Sequence, residues 1–395
     1  MSKNNQPTIL FIYPTPFNPE RGGVERVTDI LTKSLIRRGY PIYYMHHRSD
    51  MDVLNYNYPA PVYFFPSSNL SDSENIIFYH QFLKEKKIDI IINQCGLFGD
   101  SKLYLNIGQN SHIKTISVLH SNPLLNYDFL KEEILKIRNS SFIEYCKLMA
   151  RFFLYPKIKS QYWKNRKLQY DFLLKNTDII CLLSSNFKKE LQRIYLGKID
   201  KVTAIGNPNS FQVSTIPQNK EKTLLYVGRL DRGQKRPDRL LKIWKLIYKK
   251  NPDWKLIFVG DGEQRKELEK KAKQLDRISF VGYQSPEEYY KKASILCMTS
   301  NFEGFGMVLT EAMQFGTVPI AFNSYASASD IIKDGVTGFL IEPFDLKVYA
   351  DKLRYLMRNK EKRVEMAKRG FESVKKFDIE NITNQWENLF NQLLA

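Results

Sequence analysis

Residues 295–311 read I-L-C-M-T-S-N-F-E-G-F-G-M-V-L-T-E. An apolar run, Ile295–Thr299, ends at Ser300, a loop with two glycines follows, and helical periodicity begins near Met307. Run length and the glycine boundary make this a buried strand turning into a helix, the unit from which parallel sheets are built. In such a turn glycines let the backbone approach a ligand, and the first helical N–H groups, lacking intrahelical acceptors, face a phosphate. Glu303 and Glu311 bracket the turn with seven residues between them. Glu303 falls on the loop at the phosphate end. Glu311 falls about one helical turn inside, where a carboxylate takes ribose hydroxyls in dinucleotide folds. Taken alone, the pair is equally consistent with a helix cap and a solvated helix residue.

Working outward, the same alternation of apolar strand and helical pattern runs from end to end. Strands are expected at Thr8–Tyr13, Pro41–His46, Ile88–Asn93, Lys114–His120, Asp178–Leu183 and Val202–Ile205. A second series starts afresh at Thr223–Val227 and continues through Lys255–Val259, Ile278–Val281, Ile295–Thr299 and Val318–Phe322. Between them lies Gly206–Lys222, with two prolines and several serines and asparagines, which reads as a linker. The fold class is therefore α/β, with two Rossmann-like domains at 1–208 and 209–377 and a last helix, 378–395, that crosses back to brace the first.

Bulk properties bound the function. A chain of 395 residues suits two α/β cores. The longest early apolar run, Thr8–Tyr13, is far shorter than a membrane span or a signal-peptide core, so a cytoplasmic protein is expected. Four scattered cysteines without a CxxC read as reduced core residues, and the five histidines form no metal-ligand spacing. The net charge of +18 leaves nucleic acid, an anionic membrane and a lysine-rich background as competing explanations.

Two further loops of the second half carry chemistry. Strand Leu224–Val227 runs into Gly228-Arg229-Leu230 and on to Lys235 before a helix near Pro237. Arg229 and Lys235 thus fall at the carboxyl end of a parallel strand, where open α/β sheets bind ligands, and two cations there suit a pyrophosphate. The bland alternative pairs Arg229 with a neighbouring aspartate and leaves Lys235 in solvent. Val259-Gly260-Asp261-Gly262 closes the next strand beside the same crevice.

Gly228-Arg229-Leu230-x4-Lys235, Val259-Gly260-Asp261-Gly262, Phe302-Glu303-Gly304-Phe305-Gly306-x4-Glu311-Ala312, Gly316-Thr317-Val318-Pro319-Ile320 and Asp334-Gly335-Val336-Thr337-Gly338 follow one another in order. The set, spanning Tyr226–Pro343, resembles the retaining glycosyltransferase family 4, which has the GT-B architecture of two domains facing a cleft. The resemblance implies that Arg229 and Lys235 bind a donor diphosphate, that Glu303 contacts the donor sugar and that Glu311 holds the ribose. It also implies that Gly228, Gly260 and the backbone of Gly304, Phe305, Gly306, Met307 and Val308 line the donor site. Residues 323–332, N-S-Y-A-S-A-S-D-I-I, depart from the family's glycine-rich stretch ending in Glu. Asp330 falls about where that Glu would be, and this form resembles bacterial capsule and exopolysaccharide enzymes.

In the first half, Gly22-Gly23 precedes helical periodicity and resembles the family's N-terminal segment beside donor phosphates and acceptor. His120 ends a strand and is expected to donate to a sugar hydroxyl or to the departing anomeric region. No carboxylate of this half is a convincing nucleophile. Asp50-Met51-Asp52 formally matches the DxD of metal-dependent transferases but lies in the wrong half for the diphosphate, so no metal or other cofactor is expected.

Between Tyr145 and Tyr170 stand seven Lys/Arg, seven aromatics and no Asp or Glu, a pattern suited either to an anionic bilayer or to a solvated helix with a core face. The combined expectation is retaining transfer of a hexosyl or N-acetylhexosaminyl group from a nucleoside-diphosphate sugar, UDP preferred. The acceptor would be a growing, polyprenyl-diphosphate-linked surface glycan, on the inner face of the cytoplasmic membrane, with no nucleic acid partner. A sugar-nucleotide epimerase and a non-catalytic partner subunit are the alternatives.

Overall fold

The computed structural model describes residues 6–20, 22–47, 56–97, 99–110, 112–124, 127–135 and 142–395. The chain divides into two units. Unit 1 comprises Met1–Leu124, Tyr162–Ser210 and Phe377–Ala395; unit 2 comprises Leu125–Gln161 and Phe211–Lys376.

Unit 1 is built on seven parallel strands: β1 (Ile9–Ile12), β2 (Ile42–His46), β3 (Val62–Phe64), β4 (Ile90–Asn93), β5 (Lys114–Leu119), β6 (Ile179–Leu182) and β7 (Val202–Ala204). Their order across the sheet is β3-β2-β1-β4-β5-β6-β7. Unit 2 holds β8 (Glu221–Val227), β9 (Lys255–Val259), β10 (Ile278–Phe280), β11 (Ala293–Met298), β12 (Val318–Phe322) and β13 (Phe339–Ile341), in the order β10-β9-β8-β11-β12-β13. Both sheets are doubly wound. The central strands, such as Ile9–Ile12, are apolar throughout and fully buried, as a sheet covered on both faces requires. β3 and β13 do not figure among the expected strands. Each is a three-residue strand on a sheet edge, as are β7 and β10, which the sequence reading did include.

In each sheet the strand order reverses beside the first strand. β1 pairs with β2 and β4, and β8 with β9 and β11. Helices leave opposite faces there, so a crevice opens at the carboxyl ends. In unit 2 the flanking loops are 228–236, after β8, and 299–306, after β11.

The last helix, Ile379–Leu394, belongs to unit 1. It buries Ile382, Trp386, Leu389 and Phe390, and the Phe390 ring lies 5.9 Å from that of Tyr40. Burying four such side chains is worth roughly 1.5–3 kcal/mol each before entropy. Arg38 forks between Glu380 and Glu387, and Thr383 Oγ1 donates to Ser34 Oγ at 2.9 Å.

The boundaries differ from the contiguous 1–208 and 209–377 read from the sequence. Leu125–Gln161, from the connection between β5 and β6, sorts with unit 2, whereas residues 209–210 and 377 sort with unit 1. The reason is aromatic: Phe129 packs on Phe302 and Phe344, far away in sequence. Within the same connection a helix runs over Phe142–Asn176 with Pro156 inside it. Its last part is core, with Tyr170 buried and its hydroxyl donating to Pro123 O at 2.9 Å. Its first part carries exposed Tyr145, Met149, Phe152, Phe153 and Leu154. The last part of the segment thus has the core face of one sequence reading, while the first part carries its apolar side chains exposed.

Candidate active site

The loops after β8 and β9 lock together through their backbones. Gly228 N donates to Val259 O at 3.0 Å and Leu230 N to Asp261 O at 2.8 Å. A Cβ on Gly260 would stand 2.0 Å from Gly228 O, and Gly260 has φ +135°, so no other residue fits.

Loop 231–236 is then shaped by Asp231, whose Oδ1 accepts from Gln234 N (2.6 Å) and Lys235 N (3.2 Å). That turn aims Lys235 inward, where its Nζ meets Glu303 Oε1 at 2.8 Å; the two side chains are 18% and 7% exposed. Gln234 ties the two loops: its Nε2 donates to Glu303 Oε2 (3.1 Å) and Phe302 O (3.3 Å), and its carbonyl accepts from Asn301 N at 2.7 Å. Its Oε1 accepts from Arg229 at 2.9 Å. Arg229 itself is 70% exposed, with Nε 3.8 Å from Asp231 Oδ2.

The two cations therefore meet two carboxylates of their own, Asp231 and Glu303. The approach of Arg229 to Asp231 is the alternative that the sequence also offered, whereas Lys235 meets Glu303 rather than solvent, so the cluster is locally balanced.

Beyond Glu303 the chain passes Gly304 and Phe305 to Gly306, whose φ of +93° starts the helix Met307–Gln314. Ser327 Oγ lies 3.2 Å from Gly304 O and 3.1 Å from Phe305 O, either of which can accept its proton. In the departing stretch 323–332, Ser324 also supports the loop, its Oγ donating to Ser300 O at 2.9 Å. Glu311 faces inward at 2% exposure and accepts from the buried Tyr290 hydroxyl at 2.9 Å. Unit 2 thus gathers Gly228, Arg229, Lys235, Gly260, Glu303, Gly304, Phe305, Gly306, Met307, Val308 and Glu311 on the loops and helix start at the carboxyl ends of β8, β9 and β11. Gln234, Asn301 and Ser327 are the residues sequence reasoning missed. Gln234 was legible only as one of the four unspecified positions of the Gly228–Lys235 motif.

Gly22, Gly23 and His120 belong to unit 1. Gly22 precedes the helix Gly23–Arg37 in extended conformation, and the Glu25 carboxylate folds back to 2.5 Å from where a Gly22 Cβ would be. This helix start, too, holds a carboxylate of its own. His120, just past β5, is joined through Nε2 to Gln94 Oε1; Gln94 Nε2 donates to Thr28 Oγ1 at 3.2 Å, and Thr28 donates to Val24 O at 2.8 Å. Each acceptor in that chain fixes the next donor, so His120 Nε2 carries the proton and Nδ1 is bare. Burial lowers its pKa to about 4, leaving the ring neutral at physiological pH. Nδ1 is thus the unprotonated nitrogen of the His120 ring.

Among the described residues no group of three or more His, Cys, Asp or Glu is placed to hold a metal ion. Asp50-Met51-Asp52 lies outside the described residues.

Residues 21–208 match the family Glycosyltransferase Family 4, and residues 208–373 match Glycosyl transferases group 1. The chain belongs to the family 4-type glycosyltransferases. It is 30% identical over 206 residues to the amylovoran biosynthesis glycosyltransferase AmsD of Erwinia amylovora, covering 51% of this chain and 57% of that one. It is 31% identical over 248 residues to an α-1,4-N-acetyl-D-galactosaminyltransferase of Campylobacter jejuni, named for an undecaprenol-diphosphate-linked acceptor, covering 61% and 66%. The matched stretches thus span little more than half to just under two thirds of these relatives. HepE of Anabaena, solved with UDP and glucose, shares the fold at a TM-score of 0.73 and 17% identity, over 98% of this chain and 100% of that one. This glycosyltransferase is accordingly an α/β protein of GT-B type.

Proposed function

We propose that this glycosyltransferase moves a hexosyl or N-acetylhexosaminyl group, with retention, from a nucleoside-diphosphate sugar to a growing, lipid-linked surface glycan. UDP is the preferred nucleotide. The observation that carries the reading is the Arg229–Lys235–Glu303 cluster beside the helix start at Gly306, at the point where the strand order of unit 2 reverses. Arrival of a diphosphate draws Lys235 away from Glu303, and the freed carboxylate accepts from a donor-sugar hydroxyl. Diphosphate capture and sugar recognition are then one exchange of partners. Arg229, exposed at the surface, completes the diphosphate contact, Glu311 takes the ribose, and the backbone of Gly304–Val308 lies along sugar and phosphate.

In the chemical step the bond between the anomeric carbon and the diphosphate oxygen breaks, its electron pair leaving on the diphosphate. The acceptor oxygen bonds to the anomeric carbon from the same face, and its proton passes to the departing phosphate oxygen. The protein supplies position and charge rather than a covalent partner. In unit 1, Gly22 and Gly23 approach phosphate or acceptor, and His120 Nδ1 receives a sugar hydroxyl. The reading includes no metal, since Arg229 and Lys235 provide two positive charges.

The reading also places the protein in the cytoplasm, attached to the inner, anionic face of the membrane by the first part of the helix Phe142–Asn176. Phe153 is 73% exposed there, with Lys147, Arg151 and Lys157 among the neighbouring apolar side chains. Among the described residues no helix is long and apolar enough to cross a membrane.

A thermal-shift panel of UDP, GDP, ADP and their sugar conjugates, with and without EDTA, tests the donor site. One nucleotide should raise Tm equally in both conditions. No shift with any of them would sink the donor reading, and donor conversion without acceptor would favour an epimerase. Flotation on phosphatidylglycerol vesicles tests the membrane face, which fails if Phe152→Ser/Phe153→Ser floats as well as the parent.

A further inference from the structure

The connection between β5 and β6 meets the donor loop at Phe129. Phe129 ends the short 3-10 turn Tyr127–Phe129, and its ring lies 5.7 Å from that of Phe302 and 5.9 Å from that of Phe344. Phe302 immediately precedes Glu303, and its carbonyl accepts from Gln234, the residue that also donates to Glu303. Phe344 adopts φ +71°, a left-handed conformation that costs a bulky residue of order 1–3 kcal/mol and persists only when its surroundings over-determine it. Its surroundings do so: the Arg239 guanidinium lies 3.8 Å from the Phe344 ring centre, the Phe322 ring lies 5.5 Å away, and Arg239 donates to Thr299 O at the start of the same donor loop. Phe129 meets this strained ring edge-on, at 69°, and meets the Phe302 ring at a tilt of 37°.

We propose that Phe129 is a positioning residue: by packing on Phe302 against the strained Phe344, it holds Glu303 in register with Lys235. Phe302 is partly exposed, and its own hydrogen bond to Gln234, at 3.3 Å, is long. With Phe129 removed, the loop keeps its backbone course but the Glu303 carboxylate is free to swing from the ammonium. The catalytic consequence rests on reading Glu303 as the donor-sugar contact; the positional claim does not.

Competitive acetylation of lysines by acetic anhydride, read by mass spectrometry, reports the pairing directly and needs no nucleotide. Glu303→Gln should raise the Lys235 rate about fivefold, the factor expected for loss of a partly buried pair. Phe129→Ala should raise it toward that value, Phe129→Tyr should restore it, and Phe129→Ala/Glu303→Gln should be no faster than Glu303→Gln alone. Lys220, in the same unit and donating to Tyr290 O and Thr317, should stay at its parent rate. Phe129→Leu serves in place of the alanine variant if that one does not fold. An unchanged Lys235 rate overturns the proposal. So does a parallel rise at Lys220, which would mark general loosening, or a Glu303→Gln variant without effect, which would leave nothing for Phe129 to position. With the donor picked out by the nucleotide panel, Phe129→Ala should lower kcat about tenfold while UDP affinity stays within about twofold. If the acetylation result holds and kcat is unchanged, the catalytic reading of Glu303 fails and the positional claim stands.

Discussion

Consider replacing Lys235 by Met, Glu303 by Gln, and both together. At 2.8 Å the gross attraction of the pair is about 6 kcal/mol at an effective dielectric constant of 20, most of it offset by desolvation. Lys235→Met strands a carboxylate that retains only Gln234 as a side-chain donor, at 3.1 Å. The loss should be about 2 kcal/mol, below the 3–5 kcal/mol of a fully buried pair because Lys235 keeps 18% exposure. Glu303→Gln should cost about 1 kcal/mol, since the long lysine stem can swing its charge into water. The double variant should lose much less than the sum, giving a coupling of about 1.5 kcal/mol. Urea unfolding followed by Trp244 and Trp254 in unit 2, with Trp163 and Trp386 of unit 1 replaced by Phe, isolates the relevant unit. Additivity within about 0.3 kcal/mol would refute the ion pair, and with it the partner exchange proposed for donor binding.

Arg229→Ala should cut turnover by about a hundredfold or more with Tm nearly unchanged, because the side chain is largely in solvent; near-parent rates would remove it from the diphosphate. Gly306→Ala should destabilise unit 2 by about 1–2 kcal/mol, since it imposes a Cβ at φ +93° and 3.0 Å from the Tyr325 hydroxyl; urea unfolding measures it. His120 has a folded pKa of about 4 against about 6.5 unfolded, so the unfolded state binds more protons between those values and stability falls as pH drops through that window. Relative to the parent, His120→Gln should lose less Tm between pH 6.5 and 4, and identical pH profiles would argue against the buried neutral ring.

Much of this was legible in the sequence where a signal repeats locally. Runs such as Ile9–Ile12 and Leu224–Val227 declare buried parallel strands, and the Gly228–Lys235 and Glu303–Glu311 spacings land on one sheet edge because loops after parallel strands share an end. Of the four three-residue edge strands, β7 and β10 were read and β3 and β13 were not. Partner choice was invisible too. That Lys235 meets Glu303 depends on loops brought together by β8–β11 pairing, and that Ser327 supports Gly304 depends on β11–β12 pairing, neither of which a local pattern encodes. The placement of Phe129 failed for the same reason: a lone phenylalanine does not announce which core it joins.

Unit 1 is assembled from three separate lengths of chain, the last of them the helix Ile379–Leu394. Synthesis runs from the N-terminus at roughly 5–20 residues per second, and domains ordinarily fold as they emerge. Here the first unit to appear is the last to be finished. Until the final helix leaves the ribosome, Tyr40 and Ser34 lack their partners, and the Arg38 fork has no carboxylates to grip. Most of unit 2 is translated during that interval. A nascent chain of this enzyme therefore carries an open apolar seam until Ile379–Leu394 has been made, and truncation before that helix would leave the seam open for good.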